Sequence, residues 1–325
     1  MSIAFIACVE SGNLENQALL LFSSIRKYAG RFKEAPIYSF QPRNGPPLNT
    51  NTFKAFEELH VNHNTELLNT DYDYYPIGNK IFVCARAEEI IKEDILVFLD
   101  SDTVILNEPV DFDLPRGIAV AIRPVDNKNT GSEGPEDPND IYWQKLYSIC
   151  GITKELYLTT TIDNLRIRAY WNSGLIAVNR SYGLFHRWRD NFIKIMRAGH
   201  IPRNNKTNEE RLNNMDQLAL APTLVNVSER LNILDYRYNY PLPKRPLMVS
   251  PYRNAALENL IHVHYHRWFN KPDFLSLLRP KLNKDSEVFK WISSFLPFQP
   301  VIDDPFPHKT FHYLLRRIMI PHQRT

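Results

Sequence analysis

Apolar residues run unbroken at "IAFIACV" (3–9) and "ILVFL" (95–99), and "APIYSF" (35–40), interrupted by Ser39, reads as a further strand between them. The 95–99 run lacks the alternation of a half-wet strand and reads as an interior strand covered on both faces, and 3–9 reads as a buried strand. The stretches between them are amphipathic. "LENQALLLFSSIRKYAG" (14–30) follows the turn "ESGN" and reads as a helix closed by Gly30. Residues 53–59 suit a short helix, and 79–92 a longer one with apolar positions at 81, 84, 85, 87, 90 and 91. Strand, helix, strand, helix, strand over this first part of the chain predicts a parallel α/β sheet.

The pattern continues less regularly. "IAVAIRP" (118–124) is a strand, and "VDNKNTGSEGPEDPND" (125–140) is a polar loop too long for a plain connector. "YWNSGLIAVNR" (170–180) gives a turn and strand, 184–199 a helix, 215–225 a second helix, and 257–268 a late strand dense in histidine. Beyond residue 275 the chain is rich in proline and aromatics. We divide it into a domain of residues 1–275 and an extension of 276–325. The extension ends in "FHYLLRRIMIP", with Arg316 and Arg317. A basic amphipathic end of this kind would suit peripheral contact with an anionic membrane surface, or would pack on the domain with two solvated arginines.

Composition narrows the function classes. The 325 residues carry a net charge of +3, too small to suggest a nucleic-acid partner. Three cysteines (Cys8, Cys84, Cys150) in an odd, widely spaced set argue against a disulfide framework or a zinc site. Cys8 and Cys84 sit in apolar runs, which suggests core packing in a reducing, cytoplasmic compartment. "MSIAFIACV" has no basic leader pattern, and no apolar stretch reaches the roughly 20 residues of a membrane span. The sequons at Asn179, Asn205 and Asn226 are read as chance.

The chemistry begins where the 95–99 strand runs into Asp100-Ser101-Asp102. Buried carboxylates are costly unless paired, hydrogen-bonded or bound to metal. In open α/β sheets, ligands bind beyond the carboxyl ends of strands. On extended backbone, side chains two apart share a face, so the pair suits one hard divalent cation. Surface acids in a turn are the plain alternative. "WNSG" (171–174), "MDQ" (215–217) and "HVHYHRWFNKPDF" (262–274) follow in that order. "IHVHYH" alternates, so His262, His264 and His266 are expected on one strand face.

Taken together, these four motifs resemble the nucleotide-sugar-dependent glycosyltransferases of the GT-A fold. They are most similar to glycosyltransferase family 8, the glycogenin, galactinol synthase and lipopolysaccharide galactosyltransferase group. The resemblance spans roughly residues 3–275 and implies a Rossmann-like mixed sheet flanked by helices. It implies that Asp100, Asp102 and His264 ligate Mn²⁺ or Mg²⁺ bridging a donor diphosphate, with His266 the fallback ligand. It further implies that Lys271 and Lys80 contact the donor, that Ser101 lies with them, and that the turn Cys8-Val9-Glu10-Ser11 faces the nucleoside base. Asn172 and Ser173 would face donor sugar and acceptor. Asp216 and Gln217 would lie at the anomeric carbon, the first bonding sugar hydroxyls and the second opposite the leaving group. A helix N-cap is the competing role for Asp216, and a solvated lysine the competing role for Lys80 and Lys271.

The implied activity is transfer from a nucleotide-diphosphate sugar, a UDP-sugar by preference, to a hydroxyl of a glycan, lipid-linked or small-molecule acceptor, with retention. Two departures bear on the subgroup: the late motif lacks the family's glycine and its final tryptophan. Two other readings compete. A haloacid-dehalogenase-type phosphatase would use Asp100 as nucleophile and Asp102 as acid/base, and an inactive chain would only bind sugar nucleotides.

Overall fold

The computed structural model describes residues 1–202, 214–299 and 301. Twelve strands are found among them: β1 Ile3–Cys8, β2 Ile37–Phe40, β3 Val61–Asn64, β4 Ile95–Leu99, β5 Thr103–Ile105, β6 Val120–Ile122, β7 Tyr157–Thr159, β8 Arg166–Arg168, β9 Leu175–Asn179, β10 Leu231–Ile233, β11 Tyr240–Pro241 and β12 His262–His264. The longer helices are α1 Asn13–Tyr28, α2 Thr50–Glu58, α3 Asn79–Ile90, α4 Asp140–Cys150, α5 Leu184–Arg197 and α6 Met215–Val225. Two more, α7 Phe274–Leu277 and α8 Glu287–Ser294, come from the last described stretch.

Seven strands form one mixed sheet in the order β10-β6-β9-β4-β1-β2-β3. β9 runs antiparallel to both its neighbours, and the other pairings are parallel. This is the α/β sheet flanked by helices that the sequence predicts. The apolar runs have a direct explanation. In β4, Leu96 and Phe98 point into a core shared with α3, α5 and α6. Ile95, Val97 and Leu99 point into the opposite core, with α1 and α2. A strand buried on both faces has no polar phase to display. Each side chain buried this way contributes about 1.5–3 kcal/mol, which offsets the ordering of the segment.

A second sheet has the order β11-β12-β5, with β12 antiparallel to β5 and parallel to β11. Three residues separate the end of β4 from the start of β5, so the segment 100–102 is the corner between two sheets. Val104, Leu106, Val263 and Tyr265 of this region form a third core with Leu20 of α1 and with Phe274, Phe289 and Ile292 of the last two helices. The described part of the extension therefore packs against the second sheet.

Several elements depart from the sequence reading. β3 is an edge strand paired only with β2; its half-buried "VNHN" lacks any apolar signal. The 11-residue α4 helix, with Trp143, Leu146 and Tyr147 buried, has no counterpart in that reading, and the three-residue strands of the β7–β8 hairpin are too short to stand out from their loops. The late strand is only three residues long, and His266 lies beyond it in a 3-10 turn with φ of 52°. The three histidines are therefore not on one strand face. The 125–140 loop is pinned down: Trp143 Nε1 donates to Thr130 O at 2.8 Å, and Lys128 pairs with Glu133 at 2.6 Å and with Asp137. The three cysteines are free thiols. Among the described residues no helix is long and apolar enough to cross a membrane. Asn205 and the "FHYLLRRIMIP" segment with Arg316 and Arg317 lie outside the described residues.

Candidate active site

At the carboxyl edge of β1 and β4, which is also the amino edge of the antiparallel β9, a cleft of about 450 Å³ opens. Strand direction explains its contents. β1 delivers Cys8 and Glu10, β4 delivers Asp100, Ser101 and Asp102, and the turn into β9 delivers Asn172 and Ser173. The first turns of α3 and α6 add Lys80, Asp216 and Gln217, and the end of β12 adds His264, His266 and Arg267.

One half of the cleft is organised by Lys80. Its Nζ lies 2.6 Å from Asp100 Oδ1, 3.4 Å from Ser173 Oγ and 3.6 Å from Asp216 Oδ2. Burial would lower the Lys80 pKa, but Asp100 and then Asp216 outweigh it, and the ammonium is held well above its ordinary range. Asp216 is fixed on every side. Ser173 Oγ donates to its Oδ2, the Tyr75 hydroxyl lies 3.1 Å from its Oδ1, and Trp188 Nε1 donates to its main-chain oxygen at 2.8 Å. Its side chain does not cap the helix. Asn172 Oδ1 accepts from Gly174 N at 2.8 Å, which folds the turn entering β9.

The other half is built on Asp102. His264 Nε2 lies 3.1 Å from Asp102 Oδ1, and His266 Nδ1 lies 3.9 Å from Asp102 Oδ2. The register of β12 against β5, His264 opposite Thr103, makes this meeting across 162 residues. Burial opposes charge on both partners. The attraction between them prevails, raising the His264 pKa above its usual value and holding the Asp102 carboxyl below its own. Burial and the neighbouring His264 lower His266 to about 3, leaving its imidazole neutral at pH 7. Asn239 Oδ1 lies 3.1 Å from His264 Nδ1 and orients the ring from behind. Gly174 makes room for it, since a Cβ there would stand 2.9 Å from His264 Cε1.

Ligand atoms of Asp102, His264 and His266 all lie within 4.8 Å of one another, a carboxylate-imidazole set whose chemistry fits a divalent transition cation. At the third corner, Glu10 is gripped by Arg43 through Nε (2.8 Å) and a terminal nitrogen (2.5 Å), and by Asn79 Nδ2 at 3.0 Å. Ser101 Oγ donates to Gln17 Oε1 at 3.1 Å, and burial pushes the Cys8 thiol far up.

Most of the residues singled out in the sequence thus share one cleft. Three do not line it: Val9 is buried in the sheet, Ser11 sits in the following turn, and Lys271 is exposed with Nζ 4.3 Å from the Trp268 ring. Arg267 stands in the cleft wall instead. Sequence reasoning missed Tyr75, Asn79, Trp188 and Asn239. Each acts by gripping a site residue far away in sequence, and no local pattern marks such a partner.

The fold is similar to that of the WbbM bifunctional glycosyltransferase (14% identity, 89% of this chain and 51% of that one, TM-score 0.49), so the chain spans about half of WbbM. Galactosyltransferase LgtC, solved with donor and acceptor sugar analogues, is 13% identical over 93% of this chain and 98% of its own, with a TM-score of 0.49. The glycosyltransferase GlyE of Streptococcus pneumoniae is 14% identical over 100% of this chain and 66% of its own, with a TM-score of 0.47. No protein of curated function matches the chain by sequence. The family described as the Rhodobacterales glycosyltransferase domain matches residues 5–227, well over half of the sequence, and the chain belongs to that family.

Proposed function

We propose that this protein is a metal-dependent glycosyltransferase that moves a sugar from a nucleotide-diphosphate sugar, a UDP-sugar by preference, to an acceptor hydroxyl with retention. The observation that carries the proposal is the division of one cleft into two charge environments. Asp102 and His264 meet at 3.1 Å on one side, and Asp216, Ser173 and Lys80 are locked together on the other. Asp102 and His264 would hold the cation, which when bound neutralises charge developing on the departing diphosphate. Asp216 keeps acceptor lone pairs for sugar hydroxyls while Tyr75 and Ser173 fix its orientation. Gln217, half-buried beside it in the cleft wall, would turn its amide oxygen to the anomeric carbon. The acceptor oxygen would form its bond to that carbon as the carbon–oxygen bond to the diphosphate breaks, the electron pair leaving with the nucleotide and the hydroxyl proton passing to the departing diphosphate oxygen. Glu10, held by Arg43 and Asn79, would accept from N–H groups of the nucleoside base. Acceptors would be glycan, lipid-linked or small hydroxyl compounds. Family membership favours this reading over the phosphatase.

Calorimetric titration with UDP and GDP, each with and without Mn²⁺, tests it. Tight binding of one nucleotide only with Mn²⁺, abolished by Asp102→Ala, is expected. Equal binding with and without the cation would remove the metal from the mechanism, and no binding of either nucleotide would remove the donor site.

A further inference from the structure

Several observations converge on the corner between the two sheets. The atoms able to ligate there belong to Asp102, His264 and His266, and Asp100 is not among them. Its carboxylate is engaged at 2.6 Å by the buried Lys80 ammonium, and a divalent cation on that same oxygen would face a like charge at close range. His266 adopts φ of 52°, a left-handed conformation that a side-chain-bearing residue holds only at a cost. That turn folds its ring back to 3.9 Å from the His264 ring, centroid to centroid. On a continued strand the two side chains would stand roughly 7 Å apart. Asn239, which orients His264, has φ of 45°. Among the described residues, two of the five non-glycine positions with positive φ therefore serve one spot. The turned-in ring stays partly exposed, with 40% of its side chain open to the cleft.

We propose that the cation site of this chain is a two-histidine, one-carboxylate set of Asp102, His264 and His266, while Asp100 stays with Lys80 as part of the donor-sugar half. The inference rests on the metal-dependent reading above. Its consequence is cation choice. Mg²⁺ favours oxygen ligands and gives up water reluctantly, whereas imidazole favours first-row transition cations along the Irving–Williams order. The site takes Mn²⁺ or Co²⁺ over Mg²⁺.

The test is calorimetry of the full chain with Mn²⁺, Co²⁺ and Mg²⁺, each alone and with UDP or GDP. Electron spin-echo spectroscopy of the Mn²⁺ complex then counts coordinated imidazole nitrogens. His266→Asn is the central variant, because asparagine tolerates the left-handed backbone and brings no imidazole. Two imidazole nitrogens are expected in the wild type and one in the variant. Co²⁺ affinity should fall by about 10- to 100-fold or more, a range that losing even an outer-shell partner reaches. Asp100→Asn should keep both nitrogens. His266→Asp, which restores a carboxylate, should recover cation binding with Mg²⁺ now favoured and one nitrogen lost. A single nitrogen in the wild type, or unchanged Co²⁺ affinity in His266→Asn while Asp102→Asn loses binding, overturns the two-histidine set and leaves the transferase reading standing. Binding of no cation that depends on Asp102, with or without nucleotide, overturns both.

Discussion

Replacing Lys80 with methionine removes the one cation that touches both Asp100 and Asp216 while keeping the length and volume of the side chain. With an effective dielectric of about 20, charges 2.6 and 3.6 Å apart attract by roughly 6 and 5 kcal/mol. Most of that gross attraction offsets the desolvation of three charges. Taking away one partner forfeits it and strands the others, at a cost of about 3–5 kcal/mol. A second route gives the same size. A stranded carboxylate can escape by binding a proton, which at pH 7 costs about 4 kcal/mol from an ordinary pKa near 4. We therefore expect Lys80→Met to lose about 4 kcal/mol, read from the urea midpoint and slope at pH 7. The double variant Lys80→Met/Asp100→Asn should recover more than half of the loss, because an amide needs no counter-ion. A single variant within 1 kcal/mol of wild type, or a double variant no more stable than the single, would refute the account of Lys80 as the charge that holds the two acids.

Three further outcomes are expected. Gly174→Ala places a methyl 2.9 Å from the His264 ring and 3.1 Å from Asn172 Oδ1, so Co²⁺ titration should show affinity reduced by about tenfold or more as the ring is displaced. Arg267→Ala should weaken nucleotide binding measured by calorimetry, whereas Lys271→Ala should leave it unchanged, because only Arg267 lines the cleft. Asp140, buried and bonded by Arg168 Nε at 2.6 Å, has its carboxyl pKa lowered to about 2. A depressed carboxylate contributes stability above its unfolded pKa near 4 and loses it as pH falls through the folded value. Between pH 4 and 2 the wild type should therefore lose about 2 kcal/mol that Asp140→Asn does not, checked by denaturation midpoints across that range.

The sequence by itself determined the sheet's interior and the side of the molecule where chemistry sits. β1 and β4 are legible because burial on two faces leaves an unbroken apolar run, and a run ending in Asp100 and Asp102 puts acids at the ligand-binding edge. The motifs around Asn172, Asp216 and His264 were legible as motifs, and all three residues line the cleft. Only the tertiary structure decided how the charges are shared. Lys80 meets Asp100 and Asp216 through helices and strands far apart in sequence. His266 joins Asp102 through a left-handed turn instead of along a strand, and Lys271 turns away onto Trp268. Local patterns record the face a residue presents within its own element. Which oxygen faces which nitrogen depends on the register of β12 against β5 and on the corner between two sheets, and these are set by the packing of three cores together.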